Sequence, residues 1–320
     1  MSLSNGIDRR TLLATAVAAA AATGSVAAAP VETYSLWPGP PPGGEHLTVT
    51  DAIVHRSPNG SADDIAWPHV ATPKLIAIPA ARPTGAAVLL CPGGAYSRVA
   101  LGRNGSEIAR MFAARGITAF DLLYRLPHDG WTAGADAPLQ DAQRAMRWIR
   151  ANAARWQIDP ARVAACGFSA GGHLAARLGS RTSLQTYAPV DAIDQQSARP
   201  VALGLFFPVI TLLGPPAHAT SKRELLGSDM SDARMRQYSA EADLPLDMPP
   251  SFLALAANDP VVPPANSLIM FEALQKAHVP SELMVFEQGG HGLPLVRPDG
   301  TPHPWPQLFL DFVRRHGLGV

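Results

Sequence analysis

The chain has 320 residues, of which 47% are hydrophobic and 16% charged, enough for one large α/β domain or two modest ones with a real core. Its 26 Lys and Arg balance its 26 Asp and Glu, so no global field favours nucleic acid or an anionic membrane. The 31 prolines lie between recurring apolar runs, which marks loops of fixed geometry rather than disorder.

The first segment reads as an address, not as fold. Asp8-Arg9-Arg10-Thr11-Leu12-Leu13 runs into an alanine-rich apolar stretch ending near Ala29. A positive start, a moderately apolar centre and small residues before a cut describe a signal peptide. The paired arginines before two leucines resemble the twin-arginine type, whose cargo crosses the membrane already folded. Thr15, Thr23, Gly24 and Ser25 interrupt the run and argue against a stable membrane anchor. Pro30 would hinder cutting after Ala29, so Ala27 or Ala28 is the expected last residue removed. The reading is a signal over 1–29 and a single domain over 30–320, exported to the periplasm or beyond.

A Pro/Gly loop at 37–44 comes next. Strands are then expected at 47–54, 75–79, 86–91, 117–123, 163–167, 202–207, 252–257 and 283–286. Several are apolar throughout, such as Ala86-Ala87-Val88-Leu89-Leu90, as strands covered on both faces must be. Helical spacing marks 104–114, 139–156, 266–277 and 305–315. This alternation predicts a mostly parallel central sheet of about eight strands with helices on both faces, the first two strands forming an antiparallel start. Cys91 and Cys166 end two apolar runs and read as buried free thiols. From 209 to 250 only short helical pieces appear, a connection long enough to be functional. We read it as an insertion forming a small cap or side wall.

The chemistry starts at Gly167-Phe168-Ser169-Ala170-Gly171-Gly172. A buried strand runs into G-x-S-x-G and a helix begins after it, so the turn lifts the Ser169 hydroxyl above the sheet edge. Small flanking residues let strand and helix approach. The helix N-terminus favours the developing anion.

A serine needs a base and a group to orient that base. The strand at 252–257 delivers Asp259 at its C-terminal end, the edge where parallel sheets place catalytic groups. The next strand delivers Gly289-Gly290-His291-Gly292 at the same edge. Ser169, Asp259 and His291 therefore form the candidate nucleophile, orienting acid and base. His173, directly after the turn, faces away from the line of attack and reads as a structural hydrogen-bonding group. The oxyanion donors are expected at Ala170 N–H and in Cys91-Pro92-Gly93-Gly94-Ala95-Tyr96, with Ala95 favoured, then Gly94; Pro92 has no N–H. No H-E-x-x-H or clustered Cys/His spacing suggests a metal, and no cofactor is implied.

Taken with Tyr124-Arg125-Leu126-Pro127, Pro138-Leu139-Gln140-Asp141, Leu225-Leu226-Gly227 and Asp259-Pro260-Val261-Val262-Pro263, these motifs resemble the secreted carbohydrate-esterase branch of the α/β-hydrolases. That group contains acetylxylan esterase-like and feruloyl esterase-like proteins. The resemblance implies a Ser-His-Asp esterase acting on short acyl esters of plant polysaccharide, with acetylated xylan first. Tyr96, Trp131 and Trp305 are candidates to face a sugar ring, with core packing the alternative for each. Ala95 departs from a third glycine common in the family. Asn258 departs from an acidic residue often found there, which leaves Asp259 as the sole acid. A lipase-like carboxylesterase, a prolyl-type peptidase and a non-catalytic binding protein on this fold are the rival readings.

Overall fold

The computed structural model describes residues 31–319; the segment read as a signal peptide lies outside the described residues. In chain order the strands are β1 (Glu32–Ser35), β2 (Ala52–His55), β3 (Ile65–His69), β4 (Lys74–Ile78), β5 (Ala87–Cys91), β6 (Thr118–Leu123), β7 (Val163–Phe168), β8 (Leu203–Phe206), β9 (Ser251–Ala256) and β10 (Ser281–Phe286). The helices are α1 (Glu107–Ala113), α2 (Ala137–Ala151), α3 (Ala170–Ser180), α4 (Ala219–Leu226), α5 (Asp232–Tyr238), α6 (Ala265–Lys276) and α7 (Trp305–Arg315).

Eight strands form one sheet in the order β1-β4-β6-β5-β7-β8-β9-β10. The pairings of β4 with β1 and with β6 are antiparallel. From β6 to β10 every pairing is parallel. This is the mostly parallel sheet that the alternation of apolar runs predicts.

Strands β5, β6 and β9 are buried along their whole length, which is why their sequences show no polar alternation. The charged exception is Asp121, buried within β6. Its carboxylate accepts from Ser106 N (2.7 Å) and Ser106 Oγ (2.9 Å), while Ser106 caps α1 by accepting from Ala109 N. The carboxylate thus fixes the start of α1 against the sheet, and burial pushes its pKa up to about 6. In α7, Trp305, Phe309, Phe312 and Val313 recur at helical spacing and form one buried stripe.

The start of the chain differs from expectation. Of 47–54 only the last residues are strand, and β2 pairs with β3 in a separate two-stranded sheet. The antiparallel start of the main sheet is β1 with β4 instead. Strand β1 has the polar sequence ETYS and β3 contains Pro68, so neither gives the apolar, proline-free pattern that marks a strand. Cys91 and Cys166 are buried free thiols on neighbouring strands.

The segment from Val209 to Pro250 folds into α4 and α5. Its entry is anchored by the buried Asn266, whose Oδ1 accepts from Ile210 N (2.8 Å) and Thr211 N (3.2 Å). Among the described residues no helix is long and apolar enough to cross a membrane.

Candidate active site

Parallel strands share a polarity, so the loops after β5, β7, β8, β9 and β10 all emerge at one edge of the sheet. A cleft of about 830 Å³ opens there, lined by Gly94, Ala95, Ser169, Phe207, His218 and His291 among others.

Ser169 sits between β7 and α3 with φ 56° and ψ −122°, a conformation that costs a non-glycine residue energy and needs outside support. The neighbours supply it. Ser169 N donates to Phe206 O (3.1 Å), and Ser169 O accepts from Val209 N (3.0 Å) and Gly172 N (2.9 Å). Glycine is required around this turn for space. A Cβ on Gly171 would lie 2.0 Å from Cys91 O, and one on Gly93 would lie 2.9 Å from Phe168 O. The loop after β5 is therefore pressed directly against the serine turn.

His291 Nε2 lies 2.8 Å from Ser169 Oγ, and His291 Nδ1 lies 2.7 Å from Asp259 Oδ2. The Asp259 side chain is 1% exposed. Its other oxygen, Oδ1, accepts from Val261 N (2.8 Å) and Val262 N (3.0 Å). The turn geometry that Asp-Pro-Val-Val imposes thus fixes one carboxylate oxygen and leaves the second for the imidazole. The Phe207 ring packs edge-on against His291 at 5.0 Å. With Nδ1–H donating to Asp259, Nε2 is the nitrogen free to accept the serine proton.

Of the predicted oxyanion residues, Gly94 and Ala95 line the same cleft, and Ala170 directly follows the cleft-lining Ser169. Among the described residues, the N–H groups of Gly94 and Ala95 donate to no protein acceptor. The N–H of Ala170 is the first of α3 and precedes any intrahelical acceptor. Ala95 has φ 58°, the region where a glycine is easiest, so this alanine holds a turn that a glycine would adopt with less strain.

His173 is fully buried. Its Nδ1 accepts from Tyr96 Oη (2.8 Å) and its Nε2–H donates to Tyr238 O (2.8 Å). Burial and the nearby Arg177 push its pKa down to about 3, so it is a neutral strut joining α3, the loop after β5 and the end of α5.

The three aromatic residues offered to a sugar do not face the cleft, and this corrects the expectation. Tyr96 is 1% exposed and spends its hydroxyl on His173. Trp131 is 5% exposed, with the Arg125 guanidinium 4.8 Å from its ring. Trp305 is fully buried, 4.5 Å from the Phe206 ring, and its Nε1 donates to Leu293 O. The aromatic side chains that do line the cleft are Phe168 and Phe207. Phe207 directly follows β8, so the strand-end rule that found Asp259 and His291 also points to it.

His218 carries no signal in the sequence. It precedes α4, lines the cleft, and its Nδ1 accepts from Ser221 N (3.3 Å) and Ser221 Oγ (2.8 Å). The ring proton therefore sits on Nε2. Burial lowers its pKa, and the nearby His291 lowers it further. Arg98 also lines the cleft from the loop after β5.

A family model described as BD-FAE matches residues 76–274, more than half of the chain. Over 211 residues the chain is 34% identical to endo-1,4-beta-xylanase B of Butyrivibrio fibrisolvens, covering 64% of this chain and 32% of that protein. Over 214 residues it is 30% identical to an acetylxylan esterase of Xylanibacter ruminicola, covering 66% and 41%. The chain thus spans well under half the length of these two relatives. Among solved structures, the acetyl ester-xyloside bifunctional hydrolase of Caldicellulosiruptor lactoaceticus superposes with a TM-score of 0.71 at 28% identity, covering 92% of this chain and 99% of that one.

Proposed function

Because this chain belongs to the BD-FAE family and has the α/β-hydrolase fold, we propose that it is a carboxylic ester hydrolase that removes short acyl groups, acetyl first, from plant polysaccharides such as xylan. The carrying observation is the unbroken hydrogen-bonded chain from Asp259 through His291 to Ser169, set beside N–H groups without acceptors. The names of the relatives, an acetylxylan esterase and a bifunctional acetyl ester-xyloside hydrolase, support acetylated xylan as the substrate class.

In this mechanism His291 takes the Ser169 proton as Oγ attacks the ester carbonyl, and Asp259 stabilises the imidazolium. The oxyanion is received by the N–H groups of Ala170 and of Ala95 or Gly94. His291 then returns its proton to the departing sugar hydroxyl, and water releases acetate by the same route. The Nε2–H of His218 is placed to donate to a substrate hydroxyl at the cleft wall. The 209–250 segment acts as that wall within a single domain. We further propose that 1–29 is a twin-arginine signal, so replacing Arg9 and Arg10 with lysine retains esterase activity in the cytoplasm; unchanged export would contradict it.

The substrate reading is tested with a p-nitrophenyl ester series. Acetate is expected to give the highest kcat/KM, falling beyond about four carbons, because a small pocket gains little from further methylenes. A preference for longer chains would favour the lipase-like alternative.

A further inference from the structure

Outside the cleft, His69 at the end of β3 and His128 and Asp129 in the turn Pro127–Asp129 converge on one point. His69 Nδ1 is 2.6 Å from Asp129 Oδ1, and His128 Nε2 is 3.6 Å from the same oxygen. All three donor atoms lie within 4.8 Å of one another. The Asp129 side chain is fully covered, while those of His69 and His128 are 48% and 28% exposed. We propose that these three residues form a binding site for a divalent transition metal of the zinc type, with the fourth position open to water.

Three observations carry this. A covered carboxylate calls for a positive partner, yet among the described residues Asp129 pairs with no Lys or Arg, only with the two imidazoles. Its Oδ2 is already fixed by Val70 N at 3.1 Å, which presents Oδ1 to the rings as a preset ligand. The spacing also fits. Bonds of about 2.1 Å in a tetrahedron place donor atoms roughly 3.4 Å apart, and the 2.6 and 3.6 Å separations bracket that edge.

A carboxylate also stands close behind His128, just beyond hydrogen-bond distance. His128 Nε2–H now donates to Pro68 O at 2.9 Å. On binding metal through Nε2, the ring keeps its proton on Nδ1, which faces Glu224 Oε2 at 3.8 Å. A carboxylate behind a ligating histidine fixes its tautomer and raises its basicity. Glu224 belongs to α4, the helix preceded by His218 at the cleft wall. The metal would therefore tie β3 to the turn after β6, with α4 behind it, through His69 and Asp129 60 residues apart, a pairing that no local sequence spacing reveals.

The test is Co²⁺ titration of the chelator-treated full chain, read by visible ligand-field absorption, with Zn²⁺ competition and thermal unfolding alongside. The expected result is one saturable Co²⁺ per chain, displaced by Zn²⁺, and a rise in Tm. His69→Ala and His128→Ala should each weaken binding more than about 100-fold, and Glu224→Gln by about 10-fold, in the range for an outer partner. Both histidines are partly exposed, so unchanged far-UV circular dichroism serves to certify the fold of each variant. Absence of saturable Co²⁺ binding to the wild type would overturn the proposal. So would binding that persists in the double histidine variant, which would locate the metal elsewhere.

Discussion

At the scale of single residues, environment separates histidines that look alike in the sequence. His291 is tied to a carboxylate and a hydroxyl at a cleft edge, whereas His173 is enclosed between a tyrosine hydroxyl and a backbone carbonyl. The enclosure has a measurable consequence. The unfolded chain accepts a proton on this ring near 6.5, while the native ring resists it until about 3. The unfolded state thus binds more protons as pH falls, so the stability His173 contributes is complete above 6.5 and is lost progressively below it, by roughly 1.4 kcal/mol per pH unit. Asp121 acts in the opposite sense. Its native pKa is raised to about 6, so below that pH the native state binds the extra proton. The clean readout is therefore the difference between the wild type and His173→Gln, whose amide can accept from Tyr96 and donate to Tyr238. Denaturant unfolding at pH 7, 6 and 5 should show the wild type losing stability relative to the variant. Parallel pH profiles would contradict the assignment.

At the scale of elements, the motifs at 124–127 and 138–141 act as structure. Arg125 and Asp141 form a fully buried ion pair. Asp141 also accepts from Trp37 Nε1 (2.8 Å) and Arg125 N (2.8 Å), and Arg125 reaches Pro42 O and Gln140 Oε1. This cluster fixes α2 to the end of β6 and to the Pro/Gly loop. Next to it, Tyr124 Oη donates to Pro92 O at 2.8 Å and so supports the proposed oxyanion loop. Removing one partner of a buried pair strands the other's charge, so Asp141→Ala should cost about 3–5 kcal/mol, read as a lower urea midpoint. A loss below about 1 kcal/mol would show the pair to be dispensable.

The elements themselves were mostly legible. Helix α7 begins and ends where its apolar spacing predicts, and β5 to β10 follow the continuous apolar runs within two residues. What escaped was short, polar or proline-bearing, as in β1 and β3. For aromatics, composition does not distinguish a ring stacked in the core from one offered to a sugar, so Tyr96, Trp131 and Trp305 carry both readings in the sequence, and their burial decides for the core.

At the scale of the molecule, the parallel half of the sheet explains why residues as distant as Ser169, Asp259 and His291 meet. Each terminates or follows a strand of the same polarity, so their order in sequence becomes proximity along one edge. The stretch from 209 to 250 contributes His218 and Thr220 to the same cleft, and neither has a sequence signature because no local pattern marks which loop residues will face a cleft. The most direct test of the central claim is acetate release from acetylated xylan by the wild type and by Ser169→Ala under identical conditions. Steady release by the wild type and a loss on the order of 10⁶-fold in kcat for the variant are expected. Retention of wild-type turnover by Ser169→Ala, with its fold intact, would contradict it.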